Sequence, residues 1–188
     1  IVVALETSSD YWNRRELIQQ ENNKNPVTRR GLALTPVKFG ISFTATWFNQ
    51  AGALLHIYKD GSVHLNHGGT EMGQGLFTKV AQVVATALGL PIEQIKISAT
   101  RTDKVPNTSA TAASSGADLN AMAARNAAIV LKKRLSSFAA RHFKIDTESL
   151  RFKNGKIDLG DQSISFSKLV ELAYLNRVQL SATGFYRT

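Results

Sequence analysis

Apolar residues at Leu76, Val80, Val83, Val84, Ala87 and Leu88, with Lys79, Gln82 and Thr86 on the other side, repeat with a helical period and predict an amphipathic helix that Gly89 and Pro91 stop. A second stripe, Leu119, Met122, Ala123, Ala127, Val130, Leu131, Leu135 and Phe138, predicts a long helix from about Ala117 to His142, with Ser115 and Asp118 at capping-box spacing. Strict alternation marks ALLHIYK and SVHLN as strands. Asp60-Gly61 between them predicts a hairpin whose two central residues take positive φ. Upstream, YWNRRELIQQ predicts a helix with Trp12, Leu17 and Ile18 near one face and Asp10 as N-cap. It is broken at Asn22 to Pro26 and followed by two extended segments in the β-branched and aromatic stretch Arg30 to Phe48. IKISAT reads as a further strand before a loop at Val105-Pro106-Asn107. The tail offers SLRFK and KIDL around an Asn154-Gly155 turn, a helix FSKLVELAY capped by Ser165, and a strand-like SATGFY. Strands in a group, then helix, strand and helix, predict an α+β fold of mixed or antiparallel sheet layers with packed helices.

A chain of 188 residues with 43% hydrophobic content has material for one large domain or two small ones, and sub-lobes of about 1–104 and 105–188 are left open. The absence of cysteine excludes disulfides, a cysteine zinc site, an iron–sulfur cluster held by this chain and a thiolate nucleophile. Apolar runs such as VAQVVATALGL are shorter than a bilayer span, so no membrane partner is expected. Neither end has the form of a natural terminus, and the chain reads as a piece of a longer protein. Its 23 Lys and Arg against 14 Asp and Glu give a formal charge of +9 at pH 7, which admits a basic module for nucleic acid or another polyanion as an alternative reading. However, Lys132-Lys133-Arg134 would spread around a helix and lacks interleaved aromatics. A solvated face or a subunit contact is the better default, and no nucleic-acid partner is expected.

Two segments put small residues at a helix start. His67-Gly68-Gly69-Thr70-Glu71-Met72-Gly73-Gln74-Gly75 holds four glycines in nine residues, so its backbone can approach a ligand and present N–H groups to an anion; a tight turn without ligand fits equally well. Thr111-Ala112-Ala113-Ser114-Ser115-Gly116-Ala117-Asp118 also lacks bulk, and by itself favours close packing with Ser115 as a cap. The histidines do not suggest a metal site: His64 and His67 are three apart at a strand end, His56 is on the partner strand and His142 ends a helix. Glu71 is the acid inside a candidate site, and its place before a helix points to the helix dipole rather than to catalysis.

The stretch KFGISFTATWFNQAGALLHIYKDGSVHLNHGGTEMGQGLFTKVAQV, followed by VPNTSATAASSGADLN and SATGFY, closely resembles the molybdenum-binding subunits of the xanthine dehydrogenase family, in their bacterial form, over nearly the whole chain from Tyr11. The sister aldehyde oxidases differ at SFT and TAAS, which favours purine over aldehyde oxidation and leaves an aldehyde oxidase-type enzyme as the alternative. The resemblance implies molybdopterin, with molybdenum bound by dithiolene sulfurs, and FAD and 2Fe-2S clusters in other domains or subunits. It implies cofactor contacts at Gly73 and Gln74, a backbone contact of Ala113 near molybdenum, and a pterin and phosphate lining of Ser114, Ser115 and Gly116. Substrate binding falls to Phe43 against the purine ring, the Thr44 hydroxyl, and Ala112 and Ala113 as a small floor. The implied reaction is oxidation of hypoxanthine and xanthine to urate in the cytoplasm, with electrons passing through iron–sulfur clusters and FAD to NAD. The general-base glutamate belongs to a motif outside this chain, so no catalytic residue is expected here and the fragment alone should be inactive.

Overall fold

The computed structural model describes residues 1–105 and 107–188, so the Pro106 position of the expected loop lies outside the described residues. The chain forms two compact units, Ile1–Phe39 and Gly40–Thr188. The sub-lobe boundary considered near residue 104 falls inside the second unit, where elements on both of its sides share one hydrophobic core.

The first unit holds helices α1 (Val2–Ser8) and α2 (Tyr11–Lys24) and an extended segment. The sequence pattern does not single out α1. Helix α2 follows the expected run, but Asp10 does not cap it: Asp10 sits in the left-handed region at φ 51° and its carboxylate accepts from Asn13 Nδ2 at 2.8 Å instead of from a helix N–H. Neither helix buries a residue, and Trp12 and Leu17 stay exposed. The expected strands between Arg30 and Phe48 are absent, because no neighbouring strand pairs with the segment. Asn22 instead clasps it, donating to Arg30 O at 2.8 Å and accepting Arg30 N–H at 2.9 Å, and a 3₁₀ turn forms at Thr46–Phe48.

The second unit is built on strands β1 (Gln50–Ile57), β2 (Val63–His67) and β3 (Ile95–Ile97), helices α3 (Leu76–Leu88) and α4 (Gly116–Phe143), a small sheet of β4 (Arg151–Lys153), β5 (Lys156–Asp158) and β6 (Ser163–Ser165), helix α5 (Phe166–Leu175) and β7 (Ser181–Arg187). The main sheet has the order β3-β2-β1-β7. The pair β2–β3 is parallel through the α3 crossover and the others are antiparallel, as the mixed α+β expectation requires. The β1–β2 connection runs from Tyr58 to Ser62. Of the two central residues only Gly61 has positive φ, and Asp60 instead accepts Ser62 N–H at 2.9 Å, so the expected two-residue turn gives way to a longer one. Asn154 and Gly155 do both take positive φ and join β4 to β5. Ser165 caps α5, accepting Lys168 N–H at 3.2 Å.

Helix α4 is the central support, packing on β1, β7 and α3. Its inner face is mostly alanine, with Ala123, Ala124, Ala127 and Ala128 fully buried, whereas Val130, expected inside, is exposed. Small residues let the helix approach the sheet closely: a Cβ on Gly184 of β7 would lie 2.0 Å from Ala123 O and 2.6 Å from Ala127 N. No helix among the described residues is long and apolar enough to cross a membrane. Gly184→Ala should therefore lower the urea midpoint by an amount equivalent to about 1–3 kcal/mol, the usual cost of overpacking; an unchanged midpoint would show that β7 does not seat on α4.

Candidate functional site

The parallel crossover decides where the glycine-rich turn goes. It leaves the end of β2 and enters α3, beside the start of α4, which packs against α3. Thr70 N–H donates to Thr111 Oγ1 at 2.8 Å, tying the first small-residue segment to the second. The two turns border one cavity of about 340 Å³, lined by Met72, Gln74, Lys79 and Leu76 on one side and by Thr111, Ala112, Ser114, Gly116 and Ala117 on the other. A third segment joins them where Ser42 N–H donates to Ala113 O at 3.0 Å, which places Phe43 and Thr44 next to the second turn. Asn49, buried, holds Phe43 from both sides: its Oδ1 accepts Phe43 N–H and its Nδ2 donates to Phe43 O, each at 2.9 Å. The Phe43 ring lies 5.4 Å from that of Phe48 and remains half-buried; Thr44 is exposed.

The two helix starts differ electrostatically. At α3 the Glu71 carboxylate already accepts Gly73 and Gly75 N–H through Oε1, at 2.9 and 3.0 Å, and Phe77 N–H through Oε2 at 2.9 Å. These bonds, that to Phe77 foremost, hold its pKa below the ordinary carboxylate value. Glu71 is thus a cap, and it fills the place an external anion would take. At α4 no side chain caps the helix: Ser115, expected to do so, turns its hydroxyl to Ala112 O at 3.0 Å and its amide to the same carbonyl at 3.2 Å. The reason is the backbone of Ala113 and Ser114, which takes φ 52° and 55° and folds Ser115 back onto Ala112. The amides of Gly116, Ala117 and Asp118 therefore have no protein partner among the described residues, which is the arrangement that binds phosphates at helix starts.

Gln74 is also engaged locally, accepting Met72 N–H at 2.6 Å and donating to Thr70 O at 2.8 Å, which leaves one amide hydrogen for another acceptor. Gly73, Ala113, Ser115, Phe43 and Thr44 do not line the cavity itself; they shape or adjoin its walls. Lys79 and Thr111 do line it. Helical periodicity assigns Lys79 only to a polar face, and Thr111 has no signal of its own beyond its place in the second turn. The open amides, the lysine and the absence of bulk at Ala112 and Gly116 fit a phosphate-bearing cofactor. Among the described residues no three His, Cys, Asp or Glu side chains gather as metal ligands.

Behind the first turn, His67 is buried and its Nδ1 accepts Gly69 N–H at 3.1 Å, while Thr100 Oγ1 donates to Gly69 O at 2.6 Å. Burial pushes the His67 pKa down from 6.5 to about 4, against the weaker upward pull of Glu71. Gly69 has no room for a side chain, since a Cβ there would meet Leu76 Cδ2 at 2.6 Å and Asn120 Nδ2 at 2.8 Å.

The fold is shared with known oxidoreductases. Cu,Mo-CO dehydrogenase in its carbon monoxide reduced state superposes with a TM-score of 0.74 over 98% of this chain and 26% of its own, at 23% identity. Quinoline 2-oxidoreductase from Pseudomonas putida 86 superposes with a TM-score of 0.66 over 73% of this chain and 19% of its own, also at 23% identity. The molybdopterin cofactor-binding domain pattern matches residues 4–188, and the chain belongs to that family. It is 47% identical over 181 residues, or 96% of its length, to xanthine dehydrogenase/oxidase of Gallus gallus, and 46% identical over all 188 residues to xanthine dehydrogenase of Blastobotrys adeninivorans. The chain spans 12% of the length of each of these relatives.

Two pH responses follow. With the His67 pKa depressed, the unfolded state binds more protons than the folded one between pH 6.5 and about 4, so stability is full above that window and falls on acidification, by up to about 3 kcal/mol. Urea midpoints should drop from pH 7 to pH 4.5, and His67→Gln should flatten that drop. Glu71 contributes stability above its ordinary 4.5 that is lost as pH falls through its lowered value. Glu71→Ala should therefore be less stable than the parent at pH 7, with the gap closing only at pH values below about 4.5.

Proposed function

We propose that this chain is the cofactor- and substrate-binding portion of a molybdenum hydroxylase that oxidises hypoxanthine and xanthine to urate. The observation that carries the reading is the meeting of three segments at one place, the Phe43 loop, the Gln74 turn and the Ala113 turn, in a chain of the molybdopterin cofactor-binding family. When bound, molybdopterin supplies a molybdenum centre, held by its own dithiolene sulfurs, that takes up the electrons of the oxidation. The chain's residues bind and orient. The amides of Gly116 and Ala117, with Lys79 lining the same cavity, would hold the phosphate, and Ser114 would add a hydroxyl. The remaining Gln74 amide hydrogen and the Ala113 backbone would serve as polar contacts for the molybdenum centre, Gly73 gives the turn its positive-φ bend, and Ser115 fixes the fold of the second turn.

For the substrate, Phe43 offers a ring face, Thr44 a hydroxyl, and Ala112 and Ala113 leave space for a flat heterocycle to approach edge-on. Asn49 keeps the Phe43 backbone from drifting. Proton abstraction falls to a glutamate outside this chain, and electrons leave through 2Fe-2S clusters and FAD in other domains or subunits, to NAD. A cytoplasmic location agrees with such an enzyme. The aldehyde oxidase-type reading differs in the Ser42-Phe43-Thr44 and Thr111 to Ser114 segments, so the same residues test both.

In the full-length enzyme, Phe43→Ala and Thr44→Val should each lower kcat/KM for xanthine by about tenfold or more, the equivalent of about 1.4 kcal/mol, while molybdenum per subunit stays unchanged. Equal loss of turnover and metal would make both residues structural, and undiminished purine turnover with impaired aldehyde turnover would favour the alternative. The purified 188-residue chain should neither oxidise xanthine nor retain molybdopterin through gel filtration; turnover by it would overturn the assignment of the base to another segment.

A further inference from the structure

Along α4 from the cofactor cavity, Arg134 lies about 25 Å beyond Ala117 at 1.5 Å per residue. There a second cleft, of about 610 Å³, opens between the helix and the loop after α5. Val130 and Val178 form an apolar floor, and Lys133, Arg134, Arg141 and Arg177 stand around it. No acidic residue lines the cleft, and none of these four cations is in a salt bridge among the described residues. Helix α4 carries no acid after Asp118.

Helix dipoles account for part of this charge only. Arg141 is in the last turn of α4, where a cation is favoured, but Lys133 and Arg134 are not. Arg134 Nη1 donates to Ser181 O at 2.6 Å, which latches the start of β7 and fixes the guanidinium in the cleft wall. Arg177 holds a left-handed backbone, φ 59°, just past the C-cap of α5: its N–H donates to Tyr174 O at 2.9 Å and that of Val178 to Ala173 O at 3.0 Å. Glycine fills such a position without strain, so an arginine there keeps a charge at the cleft at some conformational expense. The neighbouring Lys132 takes no part, since its Nζ lies 5.2 Å from the centre of the Phe152 ring on another side of the helix.

We propose that this cleft is a docking surface for an acidic protein segment, one that places an apolar side chain between Val130 and Val178 and carboxylates against Lys133, Arg141 and Arg177. The apolar floor and the lack of any lining aromatic argue against a nucleic-acid strand, which needs stacking surfaces and a continuous phosphate track. Guanidinium forks match carboxylates in two-point geometry. The relatives are about eight times longer than the stretch matched here, so the segment is assigned to the remainder of the same polypeptide. The surface is independent of the purine reading and can fail without it.

Zero-length carbodiimide coupling of the full-length native protein, followed by peptide mapping, tests this through the Lys133 amine. Lys133 should be joined to an Asp or Glu outside these 188 residues in the same polypeptide. Arg141→Glu should lower the yield by about tenfold through like-charge repulsion, and Arg177→Gly, which suits the local backbone, should lower it while leaving the thermal midpoint unchanged or higher. Lys133 left uncoupled, coupled only within this chain, or coupled to another polypeptide would overturn the proposal. So would yields unchanged by both substitutions, or protection of Lys133 by a short single-stranded oligonucleotide.

Discussion

The contact on which the second unit depends is the seating of α4 on the β1–β7 pair through Gly184 and a face of alanines. Side chains there are reduced to methyl groups or nothing, so helix backbone meets strand backbone, and the helix axis is held by main-chain sterics rather than by the fit of large side chains. That fixes the position of both ends of a rod about 42 Å long. One end puts uncapped amides next to the β2–α3 turn, and the other part presents a row of cations to the loop after α5.

Within the candidate site the same economy recurs. The α3 start is closed by its own Glu71, and the α4 start is left open because Ser115 folds back onto Ala112. Two helix N-termini side by side would both attract anions; capping one internally leaves only the other open to an anion and makes the two sides of the cavity unlike. His67 braces the glycine turn from the buried side and the exposed Thr100 from the other, and buried Asn49 braces the Phe43 loop, so the small residues are held in place by polar side chains.

Much of this could be read from residue order. The stripes from Leu76 and Leu119 locate α3 and α4, and the alternation around Asp60-Gly61 locates β1 and β2. The stretch from Arg30 to Phe48 misleads because β-branched residues show only a preference for extended backbone, while a strand requires a partner edge that this segment lacks. The Ser115-to-Asp118 spacing misleads because a cap depends on the dihedrals before it, and left-handed alanine and serine have no sequence signature. The two small-residue turns are recognisable as candidates by composition, but their adjacency arises from the crossover and from α4 packing on α3, which are long-range facts. Lys79 illustrates the same gap: periodicity places it on a polar face, and only the fold shows that this face borders the cavity.

The left-handed turn at Ala113 and Ser114 has a consequence for how such a site can change over time. The open hydrogen-bond donors that follow it are the backbone amides of Gly116, Ala117 and Asp118, and among amino-acid exchanges only one to proline deletes such a donor. What other exchanges can do is obstruct them, by adding atoms at 112, 113 or 116, or by favouring right-handed dihedrals where left-handed ones are needed. Divergence at 112, 113 and 116 should accordingly be limited by volume and torsion more than by polarity, a mode of constraint unlike that of sites built from charged side chains.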